Sequence, residues 1–350
     1  MESEKSGCSR GVEFVQRGIW WFSILIFLGY IVLWIMVPTN TFYQHWLPAI
    51  QATTDSIYFG KQGASILVYI FPILLIATLA SLYLHLECKR SDYNTQSKVG
   101  FFGLVSWKKP LLVNGSLGII SLTELSLIFM FLLYLIWSLY SYLHDWFQQV
   151  TLLAANERDQ VWEAKLEGSA LALGLVGNIC LVFLFFPVSR VSSILQLVGL
   201  TSEGSIKYHI WLGHTAMVLF TAHGICYIIF WDKSHQISEM LMWKKVGISN
   251  VAGEVALLAG LVMWATTLPL IRQKVYELFF YTHQLYIVFV VFYVLHVGFS
   301  SSCVFLAGFY LFLIDRYLRF LQSQQKIQLV SARILPCEAV ELNFSKNPGA

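Results

Sequence analysis

Residues 207–231, KYHIWLGHTAMVLFTAHGICYIIFW, decide the fold, because this long run carries only one charged side chain, Lys207. A helix rises 1.5 Å per residue and needs about 20 apolar residues to cross about 30 Å of hydrocarbon. Similar runs recur along the 350 residues, of which 57% are hydrophobic and only 12% charged. That charged fraction is about half the value usual for soluble domains. The sequence therefore predicts a polytopic membrane protein.

Hydropathy predicts an all-α membrane fold of about eight transmembrane helices. The predicted helices cover residues 19–37, 64–86, 117–143, 168–187, 207–231, 251–269, 276–299 and 300–321. Only the short turn Gly298 to Ser302 separates the last two. We therefore expect a group of N-terminal transmembrane helices over 19–143 and a second transmembrane domain over 168–321.

The distribution of Lys and Arg predicts the orientation, because these residues are retained on the cytoplasmic side. If the N-terminal segment 1–18 lies in the cytoplasm, the segments predicted to lie outside hold few of the 23 basic residues. The outer ones are Lys61, Arg158, Lys165, Lys233, Lys244 and Lys245. An even number of helices then places both termini in the cytoplasm. The N-terminus has no Arg- and Ser-rich leader, which favours the plasma membrane over an organelle.

Nucleic acid is excluded as a partner, since the net charge is only +3 and no basic stripe with interleaved aromatic residues is present. After Phe320 the pattern changes, and residues 327–333 and 339–344 alternate apolar with polar side chains, as half-exposed strands do. Two strands cannot bury a core of their own. Residues 327–350 therefore indicate the incomplete start of a cytoplasmic β domain.

Four histidines carry the functional prediction: His209 and His223 on the fifth predicted helix, and His283 and His296 on the seventh. Their separations correspond to about 20 Å along each helix, so the pairs lie at matching heights. One intervening helix makes the two helices parallel, which pairs His209 with His283 and His223 with His296. Two imidazoles saturate a haem iron, so the pattern predicts an inner and an outer b-type haem. The alternative is a set of hydrogen-bonded core histidines.

Helical phase gives a mixed test of this prediction. At 100° per residue, His223 returns to within about 40° of the face of His209, whereas His296 lies about 140° from His283. The seventh helix must therefore bend, change its winding or approach its haems at different angles. His214 lies between the ligands of the fifth helix at spacings that suit a ligand poorly, and we expect it to hydrogen-bond a haem propionate or the backbone.

Six motifs at and around these histidines resemble those of the plant ferric reduction oxidases, ferric-chelate reductases in the superfamily of the NADPH oxidases. The motifs are Tyr208-His-Ile-Trp-Leu-Gly-His214, Phe220-Thr-Ala-His-Gly224, Met263-Trp-Ala-Thr-Thr267, Phe280-Tyr-Thr-His283, Leu295-His-Val-Gly298 and Asp315-Arg-Tyr-Leu-Arg-Phe-Leu-Gln322. The resemblance implies that NADPH reduces FAD in cytoplasmic domains. Electrons would then pass through two b haems to an extracytoplasmic Fe(III)-chelate, giving Fe(II) for iron uptake.

Carried over by position, His209 and His283 would bind the inner haem iron, and His223 and His296 the outer one. The resemblance makes 168–321 a ferric reductase-like haem-binding domain and 327–350 the start of an FAD-binding β-barrel. No side chain is expected to act in covalent catalysis.

The resemblance also sets the expected partners: the lipid bilayer, ferric chelates and NADPH, with a homo-oligomer left open. The family's His-Pro-Phe-Thr flavin motif and Gly-rich nicotinamide segment would follow Ala350, so this chain by itself is not expected to oxidise NADPH. On the outer side, Lys233, His235, Lys244 and Lys245 could attract an anionic ferric chelate. Two alternatives remain: an NADPH oxidase-like generator of superoxide, and a non-catalytic membrane subunit.

Overall fold

Long helices dominate the computed structural model, which describes residues 2–60, 62–93, 110–112, 120–154, 161–189, 202–244, 247–324, 328–336 and 339–345. The helices are α1 Glu2–Met36, α2 Leu47–Thr54, α3 Gln62–Ser65, α4 Phe71–Tyr93, α5 Leu122–Ala154, α6 Val161–Leu184, α7 Ser202–Lys233, α8 Asn250–Thr267, α9 Pro269–Lys274, α10 Tyr276–Thr282, α11 Tyr286–Val297 and α12 Phe299–Ser323. Two π-helical segments, Phe42–Trp46 and Ile66–Ile70, precede α2 and α4. Three 3-10 segments lie at Phe186–Val188, Ile237–Leu241 and His283–Leu285.

Seven helical segments in the described part of the chain are long and apolar enough to cross a membrane. They are Gly11–Met36, Gln62–Leu86, Glu124–Thr151, Val161–Val188, Gly204–Lys233, Asn250–Thr267 and Tyr276–Val297. This confirms the predicted all-α polytopic fold. The eighth predicted span is present as the 25-residue helix α12, which is not one of the seven and carries Asp315, Arg316 and Arg319 near its end.

Helix α5 differs from the predicted third span in both of its ends. It begins after a capping box, in which the Ser121 N–H donates to Glu124 Oε2 at 2.8 Å and the Glu124 N–H donates to Ser121 Oγ at 3.3 Å. Glu124 therefore lies in the first turn of α5, whereas the prediction placed it one or two turns inside the helix. At the other end α5 continues to Ala154, because polar residues such as Asp145 end a hydropathy run without ending a helix.

Helix α6 occupies the centre of the bundle. Half of its apolar window is buried inside the protein, against 6% for the window of α1. It packs along α7 and also contacts α5 and α12, while α8 packs mainly against α11. Small residues allow these close approaches: a Cβ at Gly177 would lie 2.7 Å from the Phe220 ring. The helices α6, α7, α8 and α11 thus surround the predicted histidines.

Two small antiparallel sheets accompany the helices. Strand β1, Pro110–Leu112, pairs with β2, Ile120–Ser121, and β3, Gln328–Ile334, pairs with β4, Val340–Ser345. The second pair confirms the two strands predicted after Phe320. Val330 and Phe344 remain 67% and 59% exposed, so this hairpin has no apolar layer packed on it within the described residues.

Candidate functional site

The four predicted histidines face each other in two pairs. The ring centroids of His209 and His283 lie 6.2 Å apart with an interplanar angle of 75°. Those of His223 and His296 lie 6.3 Å apart at 73°. The two levels therefore repeat one geometry, and the structure brings together the same partners that the sequence pairs.

A local change of winding reduces the difference in helical phase between His283 and His296. His283 begins the 3-10 segment His283–Leu285, which separates α10 from α11. A 3-10 turn advances about 120° per residue in place of about 100°, so three residues reduce the offset from about 140° to about 80°. Of the three alternatives left by the sequence, a change of winding is the one that the structure contains.

Backbone carbonyl groups hold three of the four imidazoles. The Nδ1 atoms of His209, His223 and His296 lie 2.9, 2.7 and 2.9 Å from the carbonyl oxygens of Leu184, Ala170 and Ser249, respectively. A carbonyl oxygen can only accept, so each Nδ1 carries the proton and each Nε2 keeps a free lone pair. This is the tautomer that a metal-binding histidine adopts when a second group orients it.

Two of the three acceptors, Leu184 and Ser249, lie at the end or the beginning of a helix. Leu184 ends α6, because the chain turns there into the 3-10 segment that contains Pro187, and terminal carbonyls lack helical partners. Ser249 precedes α8 and is joined to His296 twice, since its own N–H donates to the His296 carbonyl at 3.1 Å. The Nδ1 atom of His283, by contrast, is buried and has no hydrogen-bond partner among the described residues.

His214 has the opposite tautomer. Trp264 Nε1–H, which can only donate, lies 2.7 Å from His214 Nδ1. The proton of a neutral His214 must then reside on Nε2, which leaves no lone pair for a metal. The sequence predicted that His214 hydrogen-bonds the backbone or a haem propionate. At Nδ1 the structure shows a different partner, the side chain of Trp264, and this hydrogen bond joins α7 to α8. Trp264 belongs to the motif Met263-Trp-Ala-Thr-Thr267, and only the structure identifies its partner.

A charged cluster fixes α7 to α5 beside the inner pair. Tyr208 OH donates to Glu124 Oε1 at 2.6 Å, and Lys207 Nζ lies 3.1 Å from the same oxygen. Both charged side chains are mostly buried, with 20% of Lys207 and 13% of Glu124 exposed. Because Lys207 and Tyr208 immediately precede His209, the cluster holds the start of α7 in place.

The spacing of the pairs suits a metal held between two trans imidazoles. With a metal–nitrogen bond of about 2 Å on each side and each centroid about 1 Å behind its nitrogen, the two centroids would lie about 6 Å apart. In the described part of the chain, no group of three or more His, Cys, Asp or Glu residues could hold a bare metal ion.

Comparison with known proteins identifies the family of this chain. The family model described as ferric reductase like transmembrane component matches residues 173–294. Ferric reduction oxidase 2 of Arabidopsis thaliana is 51% identical over 359 aligned residues, covering 99% of this chain and 49% of that relative. The chain belongs to the plant ferric reduction oxidase family. This confirms the resemblance seen in the motifs.

Ferric reduction oxidases named for different organelles also match the chain. The mitochondrial ferric reduction oxidase 3 of Arabidopsis thaliana is 51% identical, covering 93% of this chain and 46% of the relative. The chloroplastic ferric reduction oxidase 7 is 38% identical, with 93% and 43% covered. The chain thus spans about half the length of the curated relatives it matches. His209, His223 and His283 lie inside the segment that the family model matches, and His296 lies just beyond it.

Proposed function

We propose that this chain is the membrane part of a metalloreductase that carries electrons through two b-type haems to an Fe(III)-chelate. One observation carries the proposal: the histidines form two pairs, whose ring centroids lie 6.2 and 6.3 Å apart. Three of the four rings are held by carbonyls in the tautomer that leaves Nε2 free. His209 and His283 would bind the inner haem iron, and His223 and His296 the outer one.

The donor set fits haem iron. Neutral imidazole suits iron, and two axial histidines complete the coordination that a porphyrin leaves open. Bound there, each haem would accept and release one electron at a time. The work of the protein is to orient the rings through Leu184, Ala170 and Ser249 and to avoid charged ligands at membrane depth, where they are costly.

Direction and partners follow from family membership and charge. We propose that NADPH and FAD act on the cytoplasmic side, that a ferric chelate is reduced outside for iron uptake, and that the protein lies in the plasma membrane with both termini inside. The basic residues of the predicted inner segments support this orientation. The flavin and nicotinamide groups would bind parts of the whole protein other than residues 1–324, with the exposed hairpin β3–β4 at the start of the flavin domain.

The outer lysines give limited support to electrostatic capture of the chelate. Lys233 Nζ lies 3.3 Å from Asp232, and Lys244 Nζ lies 3.7 Å from Glu239, so a neighbouring carboxylate partly offsets each charge. Lys245 lies outside the described residues. Attraction of an anionic chelate by Lys233, His235, Lys244 and Lys245 therefore stays a hypothesis, tested by the Michaelis constant of a charge-neutralised variant.

The test is spectroscopic and uses a chemical reductant, so it needs no electron donor from the cell. The purified chain is reduced with dithionite, and its visible spectrum and haem-to-protein ratio are measured for the wild type and for His209→Ala, His283→Ala, His223→Ala and His296→Ala. We expect low-spin cytochrome b bands and about two haems in the wild type, and about one haem in each variant. The variant His144→Ala, on the exposed end of α5, is the matched control.

Two results would reject the proposal: a wild-type chain without low-spin cytochrome b bands, or paired-histidine variants with the full haem content. The acceptor is tested with the whole protein, supplied with NADPH and either a ferric chelate or dioxygen alone. Fe(II) formation supports the metalloreductase. Superoxide formed without iron would support the oxidase-like alternative, and haem that no donor reduces would support a non-catalytic subunit.

A further inference from the structure

Two glycines lie directly against the imidazoles of the outer pair. A Cβ built on Gly174 in α6 would lie 2.7 Å from His223 Nδ1 and 2.9 Å from its Cε1. A Cβ built on Gly253 in α8 would lie 2.7 Å from both His296 Cε1 and His296 Nδ1. Carbon atoms make ordinary contacts at about 3.5–4.0 Å. Neither ring could therefore keep its place if these residues had a side chain.

Both glycines stand four residues after the carbonyl that holds the same ring. Ala170 accepts from His223 and precedes Gly174, and Ser249 accepts from His296 and precedes Gly253. Residues i and i+4 lie on one face of a helix, one turn apart. Each ring thus rests on a helix face that supplies a hydrogen-bond acceptor and, one turn later, the space for the ring itself.

The inner pair is held differently. Leu184, the acceptor for His209, is the last residue of α6, and the 3-10 segment Phe186–Val188 follows it in place of another α-helical turn. The Nδ1 atom of His283 has no described partner at all. Among the described glycines, the others that are closely approached meet backbone atoms or side chains other than histidine, such as Phe220 at Gly177 and Met217 at Gly260. The pairing of carbonyl and glycine is thus a property of the outer level.

We infer that Gly174 and Gly253 are positioning residues for the outer haem. They allow the rings of His223 and His296 to rest against α6 and α8, so that Nδ1 donates to a helix carbonyl and Nε2 is directed at the iron. A methyl group at either position pushes the ring away from the helix and off the iron axis. The inference rests on the proposed haem role of the histidines.

The test adds one methyl group at a time, in Gly174→Ala and Gly253→Ala, with Gly29→Ala as the matched control. Gly29 lies in α1 with open space around the position of its Cβ. Ala is a better helix former than Gly, so any loss must come from the contact with the ring and not from the backbone. The measurements are haem content, the electron paramagnetic resonance spectrum of the oxidised chain, and carbon monoxide binding after reduction with dithionite.

We expect the wild type and Gly29→Ala to hold two low-spin haems that bind no carbon monoxide. Each of the other two variants should keep one such haem, the inner one. Its outer site should either lose its haem or hold one that is high-spin and binds carbon monoxide. Two low-spin haems in both variants would overturn the inference, as would a loss of both haems together. Should His223→Ala and His296→Ala also keep two haems, the proposed function itself fails.

Discussion

At the scale of single residues, the position of one proton distinguishes the histidines of α7. His209 and His223 donate from Nδ1 to carbonyl groups, whereas His214 accepts at Nδ1 from Trp264. All three are part-buried on the same helix, so composition and burial do not separate them. The hydrogen-bond partner does, because it decides which nitrogen keeps a lone pair.

We therefore predict that His214→Ala keeps both haems. The substitution removes the acceptor of Trp264 Nε1–H, and an unsatisfied buried donor costs about 1–3 kcal/mol. The expected result is an unchanged haem-to-protein ratio with a lower melting temperature. Pyridine haemochrome assay and thermal unfolding in detergent check the two parts. His209→Ala serves as the contrasting variant, and a similar haem loss in both would show that His214 is a ligand.

At the scale of helices, a buried ion pair fixes the end of α12. Asp315 is 2% exposed and its carboxylate accepts from Arg319 one turn later. The apolar first half of α12, which includes the buried Cys303 and Phe305, packs against α6. The charged pair therefore lies in the second half of α12, beyond this packed apolar half.

Replacing Asp315 with Ala should destabilise the protein strongly. The substitution leaves Arg319, which is 31% exposed, without this partner, so the cost should exceed that of an exposed pair and stay below the about 3–5 kcal/mol of a fully buried one. The matched control is Glu341→Ala, which breaks the exposed pair with Arg333 on the hairpin and should cost less than about 1 kcal/mol. Thermal unfolding of both variants measures the difference. Equal shifts would mean that the buried position of Asp315 contributes nothing.

The charged cluster of Glu124, Lys207 and Tyr208 leads to a second prediction at the scale of helices. In Glu124→Ala, α5 loses its capping box, worth about 1 kcal/mol, and Tyr208 and Lys207 lose their shared acceptor. We expect a lower melting temperature and easier loss of the inner haem. The control Glu13→Ala breaks an exposed pair with Arg17 and should change neither. Preferential loss of the outer haem would contradict this placement.

At the scale of the whole molecule, the outside of the bundle is apolar. Large side chains such as Leu25, Phe129 and Leu258 are 60–67% exposed, as expected for surfaces that face lipid. The seven apolar helices establish a multi-pass protein. Whether the two termini lie on the same side of the membrane depends on α12. Seven crossings would place them on opposite sides, and eight would place them on the same side.

We predict that α12 crosses the bilayer and that both ends lie in the cytoplasm. Its 25 residues extend about 37 Å, enough for about 30 Å of hydrocarbon. Epitope tags placed before α1 and after β4 should both be inaccessible in intact cells and accessible after permeabilisation. Exposure of only one tag in intact cells would mean seven crossings.

The sequence by itself determined much of this protein. Runs of apolar residues predicted the approximate places of the seven apolar helices, since length and hydropathy are local properties, but they left the crossing by α12 open. The equal heights of His209 and His283, and of His223 and His296, followed from the 1.5 Å rise of a helix. The two strands after Phe320 followed from alternation.

Only the tertiary structure decided how the histidines are held. The 3-10 turn at His283 reduces the phase offset that uniform winding would give between His283 and His296, and no sequence rule places it there. The carbonyl groups of Leu184, Ala170 and Ser249 and the open faces at Gly174 and Gly253 belong to helices distant in sequence. Hydrogen bonds and close contacts between helices depend on their packing, whereas hydropathy and helical rise act along one segment. The pairing of the four histidines was therefore predictable, and the groups that hold them were not.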